Sequence, residues 1–501
     1  MALRIDLQSL TSKVNRALGI ATITPLSRDV HLIFIARFLR MFAYGSSALV
    51  LPLYLSALGY PDYQIGLFMT STLIGDMLIS LALTFTADAL GRRRILILGS
   101  ILMSLSGIVL AVAFDFWVLL AAAVFGIISP GGNEIGPFRA VEESTLAHLT
   151  KSADRYDTFA WYVVVGTLGA TGGFLMGGWQ VQMCQSIGWS EVAAFRTVFI
   201  TYAIIGAIKT VLTYQLTSRC EIRPTTRPAE ESESFLPSET RPNKTNSPSA
   251  RAGWTIASIS PESRAVLIKL CALFFVDSLG SGLVPMSLIS FYIEGKFETS
   301  AGKLGSIIAV ASFLSSMGNI AASSISKRIG LVKTMVFTHL PSAIFLALIP
   351  TPSSLSITVL LLVARTSLAS MDQAPRSAFL SAIVLPSERT AIMGIVNTLK
   401  TASQSVGPLV SGWLAGIHKF WVAFLLAGSL KASYDLGMLY MFVGVRNKEN
   451  EVKHSEEYEL VEDGSDAVNT TTQTESSFGD TSDDDLECNR HDRTTNKLEN
   501  G

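Results

Sequence analysis

Eight ionisable side chains stand inside stretches that are otherwise apolar: Asp76, Glu134, Asp277, Arg365, Asp372, Lys400, Lys431 and Asp435. An ionised group in hydrocarbon costs at least ~2.5–3.5 kcal/mol on insertion scales, so each position implies a task. Burial makes a carboxylate hold its proton more tightly and a nearby cation loosens it, so such a group exchanges protons when its surroundings change. Asp76, Asp277, Glu134, Asp372, Arg365 and Lys400 are therefore candidates to line a cavity that handles protons and a charged or polar solute. Asp76 and Asp277 have no opposite charge within one turn of their own helix. They are expected to lack a permanent partner, with Lys400 and Arg365 nearest in depth. Lys431 and Asp435 are four apart on one helix face and read as a structural pair.

A second set of charges lies nearer the ends of the apolar stretches. Arg139, Glu142 and Glu143 in one half match Arg376 in the other, and Asp154-Arg155 matches Glu388-Arg389. With Asp88, Arg92 and Arg93 they make charge clusters suited to closing a cytoplasmic gate. Other chemistries find no support. There is no Gly-rich phosphate loop ending in Lys-Ser or Lys-Thr. His31, His148, His339 and His418 fall at or near helix ends without partner spacing, and Cys184, Cys220, Cys271 and Cys488 offer neither metal spacing nor a disulfide framework. The chain reads as a non-enzyme without cofactor, metal or nucleic-acid partner.

The elements that must carry these residues are membrane helices. Of 501 residues, 49% are hydrophobic and 16% charged, with mean hydropathy +0.41, where a soluble domain carries roughly 25% charge. Twelve spans are expected, at about 30–58, 63–87, 94–114, 116–147, 157–180, 193–216, 264–293, 302–326, 331–350, 354–383, 391–416 and 419–445. Alternate loops hold Arg92-Arg93-Arg94, Lys151 and Arg155, Lys327-Arg328 and Lys333, and Arg389, while those near Pro61, Asp115, Ser186 and Pro350 are nearly free of cations. That places both termini in the cytosol. Met1–Arg28 shows no apolar core of a cleavable signal.

The domain reading is a cytosolic segment 1–29, a six-helix half 30–216, a disordered linker 217–263, a second half 264–445 and an acidic tail 446–501. The tail holds 16 of the 40 acids and 6 of the 39 Lys and Arg residues, leaving 24 and 33 for the rest. Both polar segments are rich in Ser, Thr and Glu and poor in large apolar residues.

The two halves echo each other. Asp154-Arg155 precedes Gly173, Gly177, Gly178 and Trp179 at the intervals by which Glu388-Arg389 precedes Gly407, Ser411, Gly412 and Trp413; Gly66 and Gly91 are spaced as Gly305 and Gly330 are. Repeated halves of this kind mark secondary transporters, whose solute sites lie between them. Asp88-Ala-Leu-Gly91-Arg92-Arg93-Arg94 resembles the loop signature of the major facilitator superfamily. Gly169-x-x-x-Gly173-Phe174-x-x-Gly177-Gly178 is similar to that superfamily's antiporter signature, with Phe174 in place of its proline; Gly407-Pro408-x-x-Ser411-Gly412 has the proline. Within the superfamily the chain resembles fungal members of the drug-exporter-like branch.

The resemblance implies an all-α membrane fold of twelve helices in two pseudo-symmetric six-helix halves. It also implies gating by Asp88 against span 11. The glycine ladders, four residues apart on one helix face, let backbones approach closely and are expected to form the surface on which one half rocks against the other. The functional expectation is a monomeric carrier for a small organic solute, driven by protons and favouring export. An uptake carrier and a non-transporting solute sensor are the alternatives.

Overall fold

A computed structural model describes residues 26–126, 128, 137–151, 154–221, 261–383 and 389–442. Among these residues the regular structure is helical. The helices line up as twelve spans: 1, Arg28–Ala57; 2, Asp62–Leu90; 3, Arg92–Val112; 4, Phe116–Phe125 with Pro137–Leu149; 5, Arg155–Ser186; and 6, Glu191–Tyr214. The second half follows with 7, Pro261–Leu283 and Met286–Phe297; 8, Ala301–Ile329; 9, Leu331–Leu348; 10, Leu355–Ser370 and Gln373–Ile383; 11, Arg389–Gly416; and 12, Phe420–Phe442. Among the described residues nine stretches are long and apolar enough to cross a bilayer.

Local chemistry sets the breaks. Span 7 is interrupted at Pro285, whose missing N–H cannot continue the ladder, and a new helix starts at Met286. Gly91 and Gly330, at the same place in each half, both adopt a φ of 91°, a backbone that side chains disfavour, so spans 2–3 and 8–9 turn sharply there. Asp115 caps span 4 by accepting from the Trp117 and Val118 amides at 3.0 and 3.1 Å. Large apolar side chains such as Trp117, Met183, Ile204, Phe337 and Leu360 are exposed on the outside of the bundle. Such a belt suits contact with lipid tails.

The packing repeats. Span 1 packs on 5 as 7 packs on 11, 3 on 6 as 9 on 12, and 1 on 6 as 7 on 12. Between the halves, span 2 packs on 11 and span 5 on 8, with the second piece of span 7 against span 1. The end at which spans 1 and 2 are joined is called the 1–2 end, and the opposite one the 2–3 end. The core changes between them. Toward the 1–2 end a single buried cluster crosses the halves, joining Leu49, Phe68 and Phe174 to Leu283, Ile289 and Leu304. Toward the 2–3 end each half has its own cluster, around Ile33, Leu146 and Tyr162 in one and Leu270, Phe274 and Met335 in the other. The halves are thus sealed together at the 1–2 end.

Residues 217–221, at the head of the stretch read as linker, are tied to the first half. Asp29 accepts from the Thr217 amide and hydroxyl at 3.1 and 2.5 Å, and Glu221 accepts from the Arg92 and Arg93 amides at 3.1 and 3.3 Å. Residues 222–260 and those beyond 442 lie outside the described part.

Candidate functional site: a charged network inside each half

In the second half the network centres on Asp277 of span 7. Lys431 of span 12 donates to its Oδ1 at 2.9 Å, and Arg376 of span 10 to its Oδ2 at 2.9 Å. Arg376 also bonds Asp372 one turn earlier in span 10. His339 of span 9 faces Asp435 through Nδ1 at 2.9 Å, while its Nε2 lies 3.9 Å from Asp277 Oδ1. The Arg376 guanidinium lies 5.1 and 5.3 Å from the ring centres of Tyr434 and Phe274.

Three expectations change. Asp277 has standing cationic partners, supplied by spans 10 and 12. Lys431 and Asp435 do share a face, but that face looks into the bundle, where Asp277 takes the lysine and His339 takes the aspartate. His339 is well inside span 9 and its partners come from spans 7 and 12, which spacing along one helix cannot show.

The first half builds a counterpart that the sequence reading missed in part. Glu142 of span 4 accepts from Arg40 of span 1 at 2.8 Å and from the Tyr162 hydroxyl of span 5 at 2.6 Å. Lys209 of span 6 lies 3.6 Å from its other oxygen. Arg37 stacks on the Tyr162 ring at 4.3 Å. Arg37, Arg40 and Lys209 carried the signal that singled out Asp76, a charge within an apolar stretch.

Backbone contacts fix how the halves correspond. Gly45 meets the carbonyl of Ala170 as Gly282 meets that of Gln404, and Gly206 meets Ser104 as Gly428 meets Ala343. Arg40, five before Gly45, therefore matches Asp277, five before Gly282; Lys209, three after Gly206, matches Lys431, three after Gly428. Both halves tie two spans, 1 to 4 and 7 to 10, with one ion pair and a lysine from span 6 or 12. The polarity is swapped: the cation is on span 1 but the anion on span 7.

The remaining cavity candidates are placed differently. Asp76 is buried, with the Ser80 hydroxyl 3.5 Å away; among the described residues no cation comes within ion-pair distance of it. Arg40 lies within its electrostatic reach. Arg365 and Lys400 are half-buried, and the Lys400 ammonium sits 5.4 Å from the Phe274 ring centre. Glu134 and Glu388 lie outside the described residues, as do the side chains of Asp88 and Arg389.

Of the gate candidates, Arg92 donates to the Ser144 carbonyl at 3.2 Å and Arg93 to that of Tyr214 at 2.5 Å. Arg139 pairs with Glu143 at 2.7 Å on its own helix. Asp154 directly precedes span 5, and Arg155, its first residue, is exposed. These described contacts, like those of Glu142 and Arg376, stay within one half.

The glycine ladders divide between two jobs. Side chains at Gly169, Gly173 and Gly177 would strike Phe38, Phe42 and Ser46 of span 1, and one at Gly407 would strike Gly282 of span 7, all within a half. Gly178 meets Ala301 and Gly305 of span 8, and Gly412 meets Asp62 and Gly66 of span 2, across the halves. Pro408 offers its carbonyl to the close approach of Gly66, and the Thr70 hydroxyl accepts from the Leu409 amide at 3.0 Å. Gly178 and Gly412, with the Phe174 and Pro408 carbonyls, therefore face the other half, while Gly169, Gly173, Gly177 and Gly407 hold spans 1 and 7 in place.

The sequence profile of the Major Facilitator Superfamily matches residues 33–276 and 270–474. The chain belongs to the major facilitator superfamily. It is thus a multi-pass membrane protein of a transporter family rather than an enzyme. An uncharacterized membrane protein of Saccharomyces cerevisiae is 34% identical over 435 residues, covering 84% of this chain and 96% of the relative. The quinolone resistance protein NorA of Staphylococcus aureus is 32% identical over 106 residues, 21% of this chain and 27% of NorA. Among solved structures the nucleoside transporter NupG superposes with a TM-score of 0.61 at 14% identity, covering 84% of this chain and all of NupG, a likeness of fold.

Proposed function

We propose that this superfamily member is a proton-coupled carrier that exports a small organic solute by alternating access. The loop cations favour a cytosolic 2–3 end with both termini on that side. On this reading the sealed 1–2 end is the outer gate and the conformation is the one that receives solute from the cytosol. The charge clusters around Asp88, Arg92, Arg93, Asp154, Arg155, Glu388 and Arg389 would close the opposite side in the alternate state. Export draws support from the antiporter-like ladder and from the partial likeness to a drug-resistance protein.

The contrast between two aspartates carries the coupling. Asp277 is held by two cations. Asp76, equally buried, has a hydroxyl as its described partner, so it can take up and release a proton without breaking an ion pair. In proteoliposomes, Asp76→Asn is expected to cut gradient-driven flux by about tenfold or more, a barrier change of about 1.4 kcal/mol. Counterflow exchange at equal pH should stay within about twofold of native on the same scale. A variant that folds and still follows the pH gradient moves the proton site off Asp76. Orientation has its own check: a cysteine at position 352 should react with an impermeant reagent from outside and one at position 240 should not, and the reverse pattern would invert the topology.

A further inference from the structure

His339 is an imidazole set between two carboxylates inside the second half. Its Nδ1 lies 2.9 and 3.0 Å from the two oxygens of Asp435, and its Nε2 3.9 Å from Asp277 Oδ1. The ring stands near the middle of span 9 and is 3% exposed, with the Tyr434 ring perpendicular to it at 5.9 Å. Asp277 Oδ1 already accepts from Lys431 at 2.9 Å, so the lysine and the imidazole address one oxygen. Lys431 has a second seat, the Ser281 hydroxyl at 2.7 Å.

The charges that face the ring leave it two forms, each with a counter-charge. Asp277 and Asp372 are matched by Arg376 and Lys431. Asp435 and His339 are left as a pair. Arg365 and Arg376 of span 10 and Lys431 of span 12 lie within electrostatic reach of the ring, and Asp372 within that of Asp435. Span 8 also packs on span 9, but its charged residues Lys303, Lys327 and Arg328 stand in its first and last turns. With one proton beyond the ring's own, the His339–Asp435 pair is neutral. Without it the pair carries one negative charge, which Arg365 offsets. The surroundings therefore forbid neither form, and a pair so coupled loads as a unit.

The two forms differ at one ring atom. A carboxylate only accepts, so in the unloaded pair the ring's hydrogen is on Nδ1, toward Asp435, and Nε2 turns a bare lone pair to Asp277. In the loaded pair either both ring nitrogens carry hydrogen, or Asp435 donates to Nδ1 and the ring's hydrogen is on Nε2. Both arrangements make Nε2 a donor aimed at Asp277 Oδ1. A shift of about 1 Å would bring it to hydrogen-bond distance. Lys431 can then rest on Ser281, so the proton moves Asp277 from span 12 toward span 9.

We propose that His339 and Asp435 form a second proton site, in the half opposite Asp76, whose loading turns Nε2 into a donor that competes with Lys431 for Asp277. Its part in transport rests on the carrier reading above; its binding of a proton does not.

The probe is the proton itself, followed by nitrogen NMR of the purified full-length protein labelled in its 6 histidines. The signal missing in His339→Asn, or in His339→Gln, is that of His339. As the buffer goes from about pH 10 to about pH 5, a window spanning the ordinary histidine range, its Nε2 is expected to pass from bare to protonated. Asp435→Asn should freeze the ring in one form across the window. Lys431→Gln removes the competing cation, so at any pH within the change the ratio of protonated to bare Nε2 should rise about tenfold or more. If one of these two variants does not fold, the other decides. The proposal is overturned if Nε2 keeps one form in the native protein, as a merely structural bond to Asp435 would have it. It is equally overturned if the change survives Asp435→Asn, or if Lys431→Gln leaves the ratio as it was. Asp76→Asn should leave the His339 change untouched; its loss there would make the two sites one and end the second. No solute enters the measurement, so a protein that transports nothing would end the carrier reading and leave this proton site standing.

Discussion

Arg376→Gln is expected to abolish transport and to destabilise the folded protein by about 3–5 kcal/mol, the range for removing one partner of a buried ion pair. The guanidinium joins Asp277 of span 7 to Asp372 of span 10. Its loss leaves Asp277 with Lys431 alone and takes from Asp372 its described ion-pair partner. Rebinding water is not open to them there, so the penalty is desolvation without return. The double variant Arg376→Gln with Asp372→Asn should recover much of the loss, because the cation and the anion nearest it are both gone while Asp277 keeps Lys431; thermal unfolding in a double-mutant cycle reads this coupling. Should Arg376→Gln melt with the native protein, the network does not hold span 7 to span 10. The matching cycle in the first half, Arg40→Gln with Glu142→Gln, tests whether the polarity-swapped pair has the same job.

The difference between what could be read from the chain and what could not follows from the range of each interaction. Hydropathy, loop charge and the repeated glycines act along one helix or one turn, so the twelve spans, their halves and the turns at Gly91 and Gly330 were legible. Ion pairing in a bundle is decided across helices. Nothing along span 12 tells Lys431 to choose Asp277 over Asp435, and nothing along span 9 tells His339 that two carboxylates face it. Lys209 and Arg40 were visible as charges in apolar sequence, yet their role shows only once Gly206–Ser104 and Gly45–Ala170 fix the correspondence with Lys431 and Asp277. The ladder in span 5 is instructive in the same way. Four-residue spacing gives a smooth stripe but does not say which neighbour lies on it, and one residue, from Gly177 to Gly178, turns the face from span 1 to span 8.

That division makes Gly178→Leu the sharpest test of how the halves move. A side chain there would drive into the backbone of Ala301 and Gly305 in the other half, and its counterpart Gly412 stands against Asp62 and Gly66 in the same manner. Neither glycine touches a core that belongs to one half alone. The expected result is a protein that folds in near-native yield but cannot close its 1–2 end, with transport reduced by about tenfold or more. Gly173→Leu faces the Phe42 carbonyl and the Ser46 amide of span 1, inside its own half. Overpacking against backbone costs about 1–3 kcal/mol or more, and here it would strain one folded half, so folded yield should fall instead. A cysteine at position 70, whose native Thr70 bonds Leu409 across the same interface, reports the difference. It should become reactive from the 1–2 end in the Gly178 variant and stay protected in whatever Gly173 variant folds. If Gly178→Leu transports at the native rate with position 70 protected, the close approach of spans 5 and 8 is not the seal, and the motion must turn on the contact of spans 1 and 7 instead.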